Sequence, residues 1–172
     1  MEPIRTTDPT GIDFRKKFEL NDKVIIITGA CGLVGRAFCE AVAQFGGIVV
    51  AADIELAKPE DFAAALSERN KVPAFGFSLD VASRSSVEAL KASVLEKFGR
   101  IDGLVNGHQN KSHLKFEPFE QVSEDNWDTV IEVNLKGTFL MCQIIGSYMA
   151  ENGGGSVAVS YTHLTLPTNR EV

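Results

Sequence analysis

Three features of the sequence predict an α/β fold built on a doubly wound parallel sheet. The apolar, β-branched run Val24-Ile25-Ile26-Ile27 leads directly into a glycine-spaced turn, Thr28-Gly29-Ala30-Cys31-Gly32-Leu33-Val34-Gly35, with a helical pattern from Arg36. A second apolar run, Ile48-Val49-Val50-Ala51-Ala52, ends on Asp53, about 20 residues beyond the turn. Apolar runs and helical patterns then keep alternating, the order that gives parallel strands with helices on both faces. Strand, glycine turn and helix together form the first βα unit of a Rossmann-like sheet.

The elements follow in order. Residues 1–22 are polar and irregular and read as a surface arm. The first helix spans about Arg36 to Phe45, carries Phe38, Val42 and Phe45 on one face, and stops at Gly46-Gly47. Pro59 suits the first turn of a short helix through Ala63-Ala64-Ala65-Leu66. Val72 to Leu79 reads as strand three, closed by Asp80-Val81. Ser83 or Ser85 can cap a helix with Val87, Leu90, Val94, Leu95 and Phe98 at helical spacing, ended by Gly99. Ile101 to Val105 forms a fourth strand, and a polar loop runs from Asn106 to about Gln121. Ser123, Glu124 and Asp125 supply a cap and an acidic first turn for a helix through Trp127, Val130, Ile131, Val133 and Leu135. Gly137 permits close packing or a bend, and the pattern resumes from Phe139 to Met149. Gly153-Gly154-Gly155 ends it, and Ser156-Val157-Ala158 opens a fifth strand.

Length and composition narrow the function. A chain of 172 residues, 44% hydrophobic and 23% charged, is one domain with a sizeable core. Its net charge is −6 and no basic cluster exceeds Arg15-Lys16-Lys17, which argues against nucleic-acid partners. No apolar run reaches membrane-spanning length, and Met1 to Arg5 lack a signal-peptide core, so a cytoplasmic protein is expected. Cys31, Cys39 and Cys142 read as reduced, partly buried thiols. His108, His113 and His163 make no metal pattern, and no metal site is expected.

The glycine turn carries the chemistry. Glycine allows the tight bend, lets backbone approach a pyrophosphate, and permits close helix–sheet packing. The following helix offers free N–H groups and the positive end of its dipole to phosphates. Gly29, Gly32, Val34 and Gly35 are therefore candidate cofactor contacts. Asp53, at the tip of the second strand, can accept hydrogen bonds from adenine-ribose hydroxyls and repels a 2′-phosphate. No Lys or Arg follows it before Lys58, which favours NAD over NADP.

From Leu20 to Ala158 the chain resembles the short-chain dehydrogenases/reductases. The resemblance rests on Lys23 to Gly29, Asp80-Val81, Asp102-Gly103-Leu104-Val105-Asn106, and the Trp127–Gly137 helix with Val133-Asn134-Leu135-Lys136-Gly137-Thr138. It implies that Asp80 and Val81 contact the adenine ring and that Asn106 and Gly107 lie beside the cofactor. It also implies that the backbone carbonyl of Asn134 holds a water in a proton relay. The implied activity is NAD- or NADP-dependent interconversion of a small alcohol and a ketone by hydride transfer. Relatives commonly form homo-oligomers through the helices that here span about Asp125 to Met149. Two features depart from the family pattern. The turn reads TGxxGxxG, a spacing more usual in nucleotide-sugar epimerases and dehydratases. The Asn-Asn-Ala-Gly after strand four reads Asn106-Gly107-His108-Gln109, and His108 is expected to be a solvated loop residue, with contact to substrate as the alternative. A non-catalytic NAD-binding protein is a further alternative.

The family's tyrosine general acid/base and its lysine, spaced Tyr-x-x-x-Lys, have no counterpart after Ala158. Ser160 and Tyr161 lie near the place of the family's serine, yet alignment on Gly154-Gly155-Ser156 puts that serine closer to Thr162, and none of the three is assigned a role. Residues 159–172 resemble a translated sequencing adaptor, so the native sequence is expected to end near Ala158 and the domain to be C-terminally incomplete. Such a sheet leaves the outer edge of strand five unpaired. The chain is expected to keep weak NAD affinity, to lack turnover and to aggregate.

Overall fold

The computed structural model describes residues 14–110 and 118–160. At its centre is a five-stranded, wholly parallel sheet of order β3-β2-β1-β4-β5. The strands are β1 (Val24–Thr28), β2 (Ile48–Asp53), β3 (Ala74–Ser78), β4 (Gly103–Asn106) and β5 (Ser156–Val159). Every residue of β1 is buried, which explains its unbroken apolar run: a parallel strand covered on both faces cannot alternate with polar residues. Val24 and Ile26 pack with Val87, Leu90 and Val94 of helix α3 (Arg84–Phe98) and with Leu140, Met141 and Ile145 further on. Ile25 and Ile27 pack on the opposite face with Cys39 and Ala43 of α1 (Leu33–Gln44) and Ala63 and Leu66 of α2 (Pro59–Asn70). Two cores thus sandwich one sheet, the doubly wound α/β architecture.

The local signals act where the sequence places them. Pro59 occupies the first turn of α2, and the Ser83 hydroxyl caps α3 by accepting from the Ser86 N–H. Gly99 closes α3 at φ +71°, a left-handed conformation that glycine adopts without steric cost. Ser123 likewise accepts from the Asn126 N–H at 3.2 Å. α1 begins three residues earlier than the apolar pattern suggests, because Gly32 serves as its N-cap and its carbonyl accepts from the Arg36 N–H at 2.9 Å.

Other boundaries differ for tertiary reasons. Strand β4 starts at Gly103 rather than Ile101, since the Asp102 carboxylate is turned back to accept the Val24 N–H at 2.9 Å. The expected arm has a 3₁₀ turn at Phe14–Phe18, and Leu20 donates its N–H to the Phe45 carbonyl at 2.8 Å; residues 1–13 lie outside the described part. Residues 124–151 form one long helix, but with π-helical turns at Glu132–Gly137 and Cys142–Gly146. β5 includes Val159, and the Ser160 N–H continues its pairing by donating to the Asn106 carbonyl at 2.9 Å. Tyr161, Thr162 and the remainder of the expected non-native tail lie outside the described residues, as does 111–117 of the polar loop. Among the described residues no helix is long and apolar enough to cross a membrane.

Candidate functional site

The sheet order reverses direction at β1, which has β2 on one side and β4 on the other. Ligands of doubly wound folds bind outside the carboxyl ends of the strands at that point. A cavity of about 650 Å³ lies there, lined by the glycine turn, the tips of β2 and β3 and the loop after β4.

The turn is shaped by two glycines. Gly29 has φ +65°, and a Cβ on it would lie 2.7 Å from the Gly107 carbonyl oxygen. A Cβ on Gly35 would lie 2.0 Å from the Gly29 carbonyl oxygen. Backbone therefore packs directly on backbone, and α1 starts tight against β1. No side chain caps α1 and no acidic residue occupies its first turn. Its leading N–H groups, which carry the positive end of the helix dipole, are left to the cavity, where Gly32, Leu33, Val34 and Gly35 form the wall.

Asp53 closes the opposite side. One carboxylate oxygen accepts the Cys31 N–H at 2.8 Å and the other accepts its neighbour Ile54 N–H at 2.8 Å. The carboxylate thus ties the glycine turn to β2 while keeping lone pairs for a ligand, since each oxygen can accept more than one hydrogen bond. Asp80 and Val81 line the cavity beyond it, and the Asp80 side chain accepts the Ala82 N–H at 2.9 Å. Among the described residues no lysine or arginine lines the cavity.

The loop after β4 forms the remaining wall. Gly107 and His108 line the cavity, as does Ser160 at the end of β5. Asn106 and Asn134 do not. The Asn106 side chain is 2% exposed, donates to the Cys142 sulfur at 3.5 Å and leaves its Oδ1 without a partner. Asn134 sits in the first π-helical turn, one residue beyond Val133 of the cavity wall. Its Oδ1 accepts the Asn110 N–H at 2.7 Å, and its backbone carbonyl accepts the Thr138 hydroxyl at 2.8 Å.

His108 overturns its reading as a solvated loop residue. Its Nδ1 lies 2.6 Å from the Thr28 hydroxyl and its Nε2 lies 3.3 Å from the Thr138 hydroxyl. Burial pushes the imidazole below its ordinary value of 6.5, although the Val133 carbonyl and the Asp53 carboxylate pull it upward. Position in a loop hid this, because both hydroxyl partners are remote in sequence. Thr28 and Thr138 inside the two motifs were the available signal.

The three cysteines are free, Cys39 buried and the other two half-buried. Among the described residues no group of three or more His, Cys, Asp or Glu side chains is placed to hold a metal ion.

Comparison with known proteins agrees with this geometry. The family model described as short chain dehydrogenase matches residues 23–162. D-threitol dehydrogenase of Mycolicibacterium smegmatis is 39% identical over 147 residues, 86% of this chain and 54% of its own length. NAD-dependent glycerol dehydrogenase of Listeria innocua is 33% identical over 144 residues, 84% of this chain and 54% of its own. A crystal structure of NAD+-bound xylitol dehydrogenase superposes with a TM-score of 0.76 at 27% identity, covering 81% of this chain and 53% of that one. The chain spans about half the length of the relatives it matches. Because the family model matches residues 23–162, well over half of its length, the chain belongs to the short chain dehydrogenase family.

Proposed function

We propose that this chain is the NAD-binding portion of an oxidoreductase that interconverts a small alcohol, of the polyol class, and its ketone. The carrying observation is the Asp53 carboxylate, fixed by the Cys31 and Ile54 N–H groups at the rim of a cavity that has no cationic wall residue among the described residues. A carboxylate so held accepts hydrogen bonds from ribose hydroxyls and repels a 2′-phosphate, which supports NAD over NADP. The cradle suits a dinucleotide: Gly29 and Gly35 let the turn pack backbone on backbone, and the α1 N-terminus, with no side-chain cap, faces the cavity. NAD, when bound, supplies the hydride acceptor for the alcohol carbon. Leu33, Val34 and Gly35 offer N–H groups to the pyrophosphate, and Asp80 and Val81 border the place of the adenine. Gly107 lets backbone come close to the cofactor, and the Asn134 carbonyl holds a relay water. Asn106, lying beneath the wall, supports the loop rather than touching the ligand. The polyol class follows the names of the threitol, glycerol and xylitol enzymes it resembles. The 172-residue chain binds without turnover, because the family's tyrosine has no counterpart in it. The soluble partner is a small molecule, and the whole protein pairs with copies of itself.

Calorimetric titration of the chain with NAD and with NADP tests the reading. NAD is expected to bind at least about tenfold more tightly, a difference of about 1.4 kcal/mol. Asp53→Asn is expected to narrow that gap. Equal affinity for the two dinucleotides would overturn the role of Asp53, and binding of neither would overturn the function.

A further inference from the structure

We propose that His108, as a neutral imidazole carrying its proton on Nε2, is a positioning residue that ties the Asn134 turn of the long helix to the cofactor cavity. The proposal rests on the oxidoreductase reading for its purpose, but its geometry stands apart from it. The direction of each hydrogen bond can be assigned from the distances. The Thr28 hydroxyl oxygen accepts the Gly107 N–H at 3.2 Å. Its proton can go to His108 Nδ1 at 2.6 Å or to the Val105 carbonyl at 3.4 Å, and the shorter bond is favoured. Nδ1 is then an acceptor and carries no hydrogen. On the other side the Thr138 hydroxyl gives its proton to the Asn134 carbonyl at 2.8 Å, so a lone pair faces His108 Nε2 at 3.3 Å. Nε2 must therefore donate, and one tautomer satisfies both ends.

The resulting chain runs from the Gly107 N–H through Thr28, His108 and Thr138 to the Asn134 carbonyl. It connects the tip of β1, the loop after β4 and the first π-helical turn, three segments remote in sequence. Close approach makes the link possible: a Cβ on Gly137 would lie 3.2 Å from His108 Nε2 and 2.7 Å from Val81 Cγ2. The Asn134 side chain adds a second tie through the Asn110 N–H at 2.7 Å. His108 itself lines the cavity, so the same ring touches the ligand space and the helix. An alanine, which the family pattern has here, could make neither hydrogen bond.

The groups facing the ring define its response to pH. β1 offers the Thr28 hydroxyl, the long helix offers the Thr138 hydroxyl and the Val133 carbonyl, and β2 contributes the Asp53 carboxylate from further away. A proton on Nδ1 would turn an acceptor into a donor against Thr28, whose hydrogen would have to swing to Val105. The link's contribution to stability is full above the ordinary histidine value of 6.5 and declines as pH falls toward the depressed folded value, because there the unfolded chain binds the extra proton first. The hydrogen bonds themselves are lost when the folded imidazole takes up its proton.

Histidine-selective 15N NMR on the 172-residue chain tests this directly, with His108 assigned through H108Q. The expected result is a protonated Nε2, an unprotonated Nδ1 and a titration midpoint below 6.5. Thr28→Ser should preserve that signature, and Thr28→Val should keep the Nε2 proton while moving the Nδ1 resonance toward that of a lone pair with no hydrogen bond. A protonated Nδ1, or a midpoint at or above 6.5, overturns the proposal whatever the cofactor does. NAD affinity is the second readout: it should weaken about tenfold as His108 is protonated, and H108Q should remove that pH dependence. Pronounced pH dependence that survives in H108Q overturns the positioning role. Failure of NAD to bind at any pH, with the Nε2–H tautomer present, overturns the oxidoreductase reading while the hydrogen-bonded link stands.

Discussion

At Gly35 one added methyl group would stand 2.0 Å from the Gly29 carbonyl oxygen and 2.8 Å from the Ala30 Cα. Neither neighbour can retreat, because both are backbone of the turn that α1 packs on. Gly35→Ala is expected to destabilise the fold by about 1–3 kcal/mol or more through overpacking. It should also remove NAD binding, since the turn must open to admit the Cβ. Thermal unfolding and calorimetry on the same variant check both, and an unchanged melting temperature would show that the turn relaxes freely. This position was legible in the sequence because glycine spacing after a strand has one economical explanation. His108 was not legible, because its burial depends on Thr28 and Thr138, which only the folded chain brings together.

Among the elements, β1 and β4 are joined at their amino ends by one side chain. Asp102 accepts the Val24 N–H at 2.9 Å, the Lys23 ammonium at 3.3 Å and the Arg100 Nε at 2.8 Å, with a second guanidinium bond to its other oxygen. Burial raises its pKa, but Arg100, the Val24 N–H and Lys23 together hold the carboxyl below its ordinary 3.8. A depressed carboxylate contributes stability that is fully present above the ordinary value and is lost as pH falls through the folded one. Asp102→Ala is therefore expected to cost about 1–3 kcal/mol near neutrality, chiefly the cost of leaving the buried Val24 N–H unpaired. The gap between variant and parent should close in strong acid, which urea unfolding at the two pH values reads; a gap independent of pH would argue against the carboxylate's charge. The sequence showed that β4 existed but began it at Ile101, because apolar character cannot reveal a carboxylate folded back on a neighbouring strand. Ser83, Ser123, Pro59 and Gly99 were read correctly because caps and stops act within a few residues. The π-helical turns were invisible for the opposite reason: apolar spacing in 124–151 is compatible with an ordinary helix, and the widened turn at Asn134 is set by what packs on it.

For the whole molecule, the two sheet edges differ. β3 is flanked by α2, and Phe75 packs edge-on against Phe98 at 4.9 Å beneath Lys97. β5 presents Ser156, Val157 and Ala158 to solvent, with Val157 45% exposed, and among the described residues nothing pairs with its outer side. An open apolar strand edge templates pairing with another chain. Association that strengthens with concentration is expected in sedimentation, and Val157→Lys should reduce it without changing the melting temperature by more than about 2 °C. A monomer at all concentrations would mean that the edge is protected in solution.

The central position of β1 also sets an order of events when the chain is made. β1 finds β2 after a short excursion through α1, but its other neighbour, β4, is paired through Ile25 with Gly103 and Thr28 with Asn106. At the usual pace of synthesis, about 5–20 residues per second, β1 waits roughly 4–16 s for that partner to be added. During that interval the most apolar strand of the protein has one bare flank. The α1–α2 face can already be largely closed, because its buried residues all precede β4 and only the half-buried Val105 comes later, whereas the face built from α3 and the long helix cannot. The nascent protein is thus nearly finished on one side of its sheet well before the other, and the cavity at the end of β1, which needs Gly107 and His108, comes into being only with the second.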